Sequence, residues 1–189
     1  MLTGLDRDVL GVNLRVFDGE IEEWQTRLFR NQNEILFDLR AGENVGGSIA
    51  QRGGKIVDFD IDVRRAFPST PADLAERSRL SHVDLRERPG TPEVLLSLGR
   101  IHFLAGNHFH AECYFHEFLT TAGNDHPSRQ TAWLLLVLCH RRKGDLHRAL
   151  EAATSAIQQF PDDARFASEF AGLRQILGGM ARSETNATW

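Results

Sequence analysis

The chain has 189 residues, 41% of them hydrophobic and 25% charged, with a net charge of -4. That length accommodates one large domain or two small ones and buries a core without disulfides. The mild acidity excludes a general attraction to nucleic acid or anionic lipid, so no nucleic-acid or membrane partner is expected and any partner is chosen by a local patch. Cys113 and Cys139 form no C-x-x-C pair and each falls in an apolar, helix-like run, so both are expected as buried free thiols. The N-terminal MLTGLDRDVLGVNLRV carries acids where a signal peptide has a basic start and an apolar block. The longest apolar stretch, TAWLLLVLC at 131–139, is too short to span a bilayer. A reducing, cytoplasmic setting is therefore expected, in which the sequon at 186–188 carries no glycan.

Val12, Leu14 and Val16 alternate with Asn13 and Arg15 and the run stops at the turn pair Asp18-Gly19, which predicts a strand. GEIEEWQTRLFRNQ then places Ile21, Trp24, Leu28 and Phe29 at helical spacing behind acids in the first turn, which predicts a short helix. Ile35, Phe37 and Leu39 alternate with Leu36 and Asp38, and Val57, Phe59, Ile61 and Val63 alternate with Asp58, Asp60 and Asp62. Two further strands are predicted there, joined by the Gly-rich loop VGGSIAQRGG. PSTP at 68–71 introduces the helical pattern PADLAERSRLSHVDLRER, with Thr70 as N-cap and Pro71 at the first helical position, and RPGTP at 88–92 ends it. Beyond that the period is helical, broken at Gly106, around 123–127, at Gly144 and at Pro161, so the boundary between the two halves falls within 66–91.

The helical half repeats itself. Gly106-Asn-His-Phe-His-Ala111 aligns with Gly144-Asp-Leu-His-Arg-Ala149, and Leu95, Leu98, Gly99 and His102 align with Trp133, Leu136, Val137 and His140. Phe115 follows in the first copy, and Ala153, Ala156 and Pro161 in the second. Residues 92–178 resemble the tetratricopeptide repeat, in which W-x2-L-G-x2-Y, a turn glycine, A-x3-F and a closing proline describe two close-packed antiparallel helices. Val137 stands where that family prefers a small residue. The turn glycines are 144 minus 106, or 38, residues apart, against a family period of about 34. That difference implies an extended linker around AGNDHPS, and RFASEFAGLRQIL is expected as a capping helix.

The resemblance implies a groove lined by the first helix of each pair, holding a protein or peptide. Its lining would be Glu93, Leu96, Arg100, Phe103 and Leu104 in the first copy and Thr131, Leu134, Leu138, Arg141 and Arg142 in the second. An apolar floor flanked by arginines suits an amphipathic or acidic peptide. Leu96 and Leu134 stand where the clamp that holds a chaperone's C-terminal carboxylate would need polar side chains. The bland alternative is that Leu134 and Leu138 pack against the N-terminal half, and dipole complementation at a helix C-terminus accounts for HRRKG at 140–144.

Two constellations carry possible chemistry. His108, Glu112 and His116 recur every four residues on one helix face, with the ends about 12 Å apart, so adjacent members fit a metal and all three do not; His102 and His140, at equivalent repeat positions, are expected as packing residues. Gly47-Ser48 followed by Asp58-x-Asp60, with Asp84 as a third acid, has the spacing of a polymerase-β-like nucleotidyltransferase, in which glycines touch a triphosphate and the acids hold two metal ions. Against it, RAGENV is no strand, Asp84 falls in a helix pattern, and Asp62 extends the acids along what reads as an exposed edge strand.

The expected architecture is α+β. A strand-and-helix unit at 1–66 and a linker with a helix packed on the first repeat at 67–91 precede a tetratricopeptide-like domain at 92–178 and a flexible tail at 179–189. The expected function is a protein-binding scaffold or chaperone-like adaptor without a cofactor, with homodimerisation through strand edges open to it; the alternative is the nucleotidyltransferase with Ser48, Asp58, Asp60 and Asp84.

Overall fold

The computed structural model describes residues 6–18, 21–30, 35, 39–40, 45–64 and 69–186. The chain divides into two compact units, residues 1–89 and 90–189. The order of elements, strands with one short helix among them and then longer helices, is the α+β arrangement expected from the two hydrophobic periods.

The first unit is built on strands β1 (Val9–Asp18), β2 (Ile21–Phe29) and β3 (Lys55–Arg64), in the spatial order β2-β1-β3. β1 pairs antiparallel with β2 and parallel with β3. Its central place explains its apolar composition: Val12, Leu14 and Val16 are all buried. The stretch Ile21–Phe29, whose spacing predicts a helix, is a strand. It forms a hairpin with β1 from Asp18↔Ile21 to Gly11↔Phe29, and the register shifts between Val12 and Asn13. That bulge makes Arg27 an extra residue of β2, so the register sets Ile21 and Leu28 on one face and Trp24 and Phe29 on the other, and apolar residues split between two faces in this way have helix-like intervals in the sequence.

Ile35 and Leu39 lie outside any strand, and Phe37 lies outside the described residues. Ile35 is buried with Leu10, Val45 and Ile49. The segment read as a Gly-rich loop contains the short helix α1 (Gly46–Gln51), which contributes Ile49 to that cluster. β3 is an edge strand, exposed from Asp58 to Asp62, with Phe59 38% and Ile61 50% exposed.

Helix α2 (Pro71–Glu87) starts where its sequence says it should. The Thr70 hydroxyl accepts from the Asp73 N–H at 3.2 Å and the Asp73 carboxylate accepts from the Thr70 N–H at 3.1 Å, a complete capping box ahead of Pro71. Thr70→Ala should cost about 1 kcal/mol and speed hydrogen exchange in the first turn of α2, while Thr70→Ser should leave both nearly unchanged.

The second unit stacks five helices: α3 (Pro92–Leu104), α4 (His108–Thr121), α5 (Arg129–Arg142), α6 (Leu146–Gln159) and α7 (Ala164–Asn186). Each packs on the next, with lighter contact between α3 and α5 and between α5 and α7. The repeat is visible in the hydrogen bonds. Gly106 and Gly144 both take φ 77°, a conformation open to glycine and costly for other residues. The next N–H closes each turn in the same way, Asn107 onto the His102 carbonyl at 2.8 Å and Asp145 onto the His140 carbonyl at 2.9 Å. The second helices also end alike, Ala122 N–H on Phe118 and Phe160 N–H on Ala156, each at 2.8 Å.

Residues 122–128 separate α4 from α5, whereas only 160–163 separate α6 from α7, so the surplus length lies in AGNDHPS. α7 continues through the residues expected as a tail as far as Asn186, since Gly178-Gly179 weakens a helix without forbidding it as a proline would. Cys139 is buried, but Cys113 is exposed, on the solvent side of α4 rather than in the core.

Candidate functional site

The acids of β3 are held by β1. The Asn13 amide donates to Asp58 at 2.8 Å, and Arg15 donates Nη2 to Asp60 and Nε to Asp62, both at 2.6 Å. The Thr26 hydroxyl donates to Asn13 at 2.7 Å, so a polar line crosses all three strands. Arg15 thus supplies between two carboxylates the positive charge that a cation would supply. Ser48 is buried on α1. Asp84 is buried on α2, where it accepts from the Arg40 backbone N–H at 2.9 Å and from Arg40 Nη1 at 3.1 Å, with Arg88 at 3.7 Å. Among the described residues, the cluster of possible metal ligands is Glu112, His116 and His140, and it includes none of Asp58, Asp60 and Asp84.

In the second unit, the leucines named for the groove and the arginines named beside them have different surroundings. Leu96, Phe103, Leu134 and Leu138 are buried. α5 is buried without interruption from Leu134 to His140, as befits a helix that is apolar all round. Arg100 and Arg141 are half-buried and Arg142 is exposed. Arg141 Nη1 donates to both oxygens of Glu169 on α7, at 2.8 and 3.1 Å, so this arginine ties alternate helices of the stack together. The Arg142 guanidinium stands 5.8 Å from the centre of the Phe103 ring, joining the first and second copies of the repeat through a cation–π contact. Glu93 lies 3.4 Å from His126.

Glu112, His116 and His140 form a second candidate centre, with one ligand atom from each lying within 4.8 Å of the others. Sequence spacing placed His108, Glu112 and His116 along one face of α4, where adjacent members fit a metal and all three do not. Beside Glu112 and His116 the third member is His140, from the facing helix α5, which spacing along one helix cannot reveal. Its Nδ1 is buried without a hydrogen-bond partner and lies 4.0 Å from Glu112 Oε2. Glu112 is paired with Lys143, and Arg148 stands 3.9 Å away. Burial pushes the Glu112 carboxyl up, but the Lys143 hydrogen bond and the nearby positive charges outweigh it and hold the carboxyl below its usual value. Burial lowers His140 against the opposing pull of Glu112, which favours the neutral imidazole. The neighbouring Cys139 thiol is pushed up to about 12 by burial and by Glu112, so it stays protonated.

These hairpins, turned at equivalent glycines and stacked in chain order, define a tetratricopeptide-like helical repeat fold. Solved structures share it. The crystal structure of MamA matches with a TM-score of 0.51 at 19% identity over 57% of this chain, which spans 60% of the MamA chain. The tetratricopeptide domain of Sgt2 from Aspergillus fumigatus matches with a TM-score of 0.50 at 17% identity, over 59% of this chain and 72% of that one. The first such domain of human RPAP3 matches with a TM-score of 0.51 at 12% identity, over 59% of this chain and 85% of that one. The first such domain of Spaghetti (RPAP3), solved bound to an HSP90 peptide, matches with a TM-score of 0.50 at 12% identity. No protein-family model matches the chain, and no curated protein matches it significantly.

Proposed function

We propose that the protein is a binding scaffold or adaptor whose helical unit holds a peptide or partner protein on the surface at the exposed Arg142. The observation that supports it best is the hairpin stack itself, in which α3 and α5 occupy equivalent repeat positions and Arg142 of one copy lies over Phe103 of the other. An exposed guanidinium held in place over a buried ring suits an acidic peptide, through bidentate carboxylate contacts. The HSP90 peptide bound to the Spaghetti domain is a precedent for peptide binding on such a stack. Here the buried Leu96 and Leu134 leave no polar clamp for a terminal carboxylate at their positions, so the peptide would be recognised along its length rather than by its end.

Among the described residues no helix is long and apolar enough to cross a membrane, and a cytoplasmic setting remains our reading. On the first unit, the exposed Phe59 and Ile61 of edge strand β3 favour strand pairing with a second copy as the route to a homodimer. The test is affinity capture from the source cell with mass spectrometry, followed by substitution. Arg142→Glu should lower recovery of the captured partner at least tenfold, while Asp58→Ala with Asp60→Ala should leave it unchanged. Loss on the acidic strand and retention at Arg142 would refute this reading.

A further inference from the structure

The side chains of Glu112, His116 and His140 meet between helices α4 and α5 of the stack. We infer that they form a site for a single transition-metal dication of the zinc class. Each element of the arrangement has a chemical reason. Glu112 and His116, four residues apart on α4, project from one face, and His140 closes the third position from α5.

Two imidazoles and one carboxylate suit Zn2+, Co2+ or Ni2+, and disfavour Mg2+ and Ca2+, which take oxygen ligands. A tetrahedral ion with bonds of about 2.0–2.1 Å needs ligand atoms about 3.3 Å apart, so the three need only small side-chain rotations to close from within 4.8 Å. The fourth position would go to water, because the site opens to solvent at the exposed His116.

The second observation is the state of His140. It is 4% exposed, and its Nδ1 has no hydrogen-bond partner, an arrangement that costs free energy in a core histidine and that a metal ion would relieve. The equivalent residue of the first copy, His102, stacks instead on His110 and Tyr114, so the two copies put the same residue to different use. Lys143 is the internal competitor. Its ammonium pairs with Glu112, and an incoming dication must displace or repel it. This competition distinguishes a metal site from a merely structural cluster, because removing Lys143 should tighten metal binding.

The experiment is titration of the chelator-treated 189-residue chain with Co2+, followed by its visible d–d absorption, and displacement of Co2+ by Zn2+. One Co2+ per chain is expected. His116→Ala should weaken binding by more than the about 10–100-fold that loss of an outer-shell partner costs. His140→Leu, which keeps the core filled, should do the same. His108→Ala should change nothing, and Lys143→Met should tighten binding about two- to fivefold, the strength of a partly exposed ion pair. Far-UV circular dichroism reports whether His140→Leu folds; the exposed His116→Ala carries the test if it does not. Absence of saturable binding, or binding unaffected by His116→Ala, would overturn the inference.

Discussion

Gly99→Val should destabilise the helical unit severely, and Phe115→Ala should relieve most of that damage in the double variant, although Phe115→Ala alone is itself costly. In the first hairpin a Cβ on Gly99 would lie 2.5 Å from Phe115 Cε1 and 2.7 Å from Cδ1. The ring cannot step aside, because Phe115 is fully buried. Valine there adds three carbons to a filled space, which is overpacking worth about 1–3 kcal/mol or more, and any gain in helix propensity over glycine stays below about 1 kcal/mol. Phe115→Ala opens a cavity at a cost of about 3–5 kcal/mol. The second hairpin already contains the combined solution: 38 residues on, Val137 stands at the position of Gly99 and Ala153 at that of Phe115, and both are fully buried. The double variant copies that pair into the first hairpin. Urea denaturation of the four chains in a double-mutant cycle should give a favourable coupling of about 2 kcal/mol or more. Additivity would mean that Gly99 is small for some reason other than Phe115.

The same pair shows how a departure from a repeat pattern can be read. Val137 looks like a defect when the sequence is compared with a consensus one position at a time, because the compensating residue lies sixteen positions away on the next helix. The turn glycines, the Thr70 cap and the surplus length of AGNDHPS were legible because each is a local signal: a φ of 77°, a hydroxyl three residues from the N–H it accepts from, a count of residues. The strand β2 was not legible, because its apolar residues are divided between its two faces, Ile21 with Leu28 and Trp24 with Phe29, and only the pairing with β1 reveals that division. The acids of β3 posed the converse difficulty. Their D-x-D spacing is genuine, but its meaning depends on the cross-strand neighbours Asn13 and Arg15, and on an Arg40 that engages Asp84 from 44 residues away. The candidate cluster at Glu112 was half legible for the same reason, since α4 supplies two members in a readable spacing and α5 supplies the third through packing.

Arg129→Met is expected to cost about 2–3 kcal/mol, although no sequence signal marks this residue and it touches no proposed partner. Arg129 opens α5 and is only 8% exposed. Its Nη1 donates to the Leu119 carbonyl at 2.8 Å and to the Ala122 carbonyl at 3.1 Å, and its Nε donates to Gln159 Oε1 at 3.2 Å. Leu119 and Ala122 lie at the end of α4, where carbonyls have no helical partner and where the helix dipole favours a positive charge. One guanidinium therefore caps the first hairpin and, through Gln159, holds the end of the second, across the very linker that is longer than the repeat requires. Methionine keeps most of the buried stem but leaves those carbonyls unsatisfied, and hydrogen bonds to a charged donor are worth more than neutral ones. Lysine keeps the charge but lacks the fork that reaches three acceptors, so Arg129→Lys should recover only part of the loss. Chemical denaturation gives the stability difference, and hydrogen exchange should show the loosening concentrated in 119–128 rather than spread over the stack. Equal stability of Arg129→Met and wild type would mean that water caps α4 as well as this arginine does, and that the long linker needs no fastening.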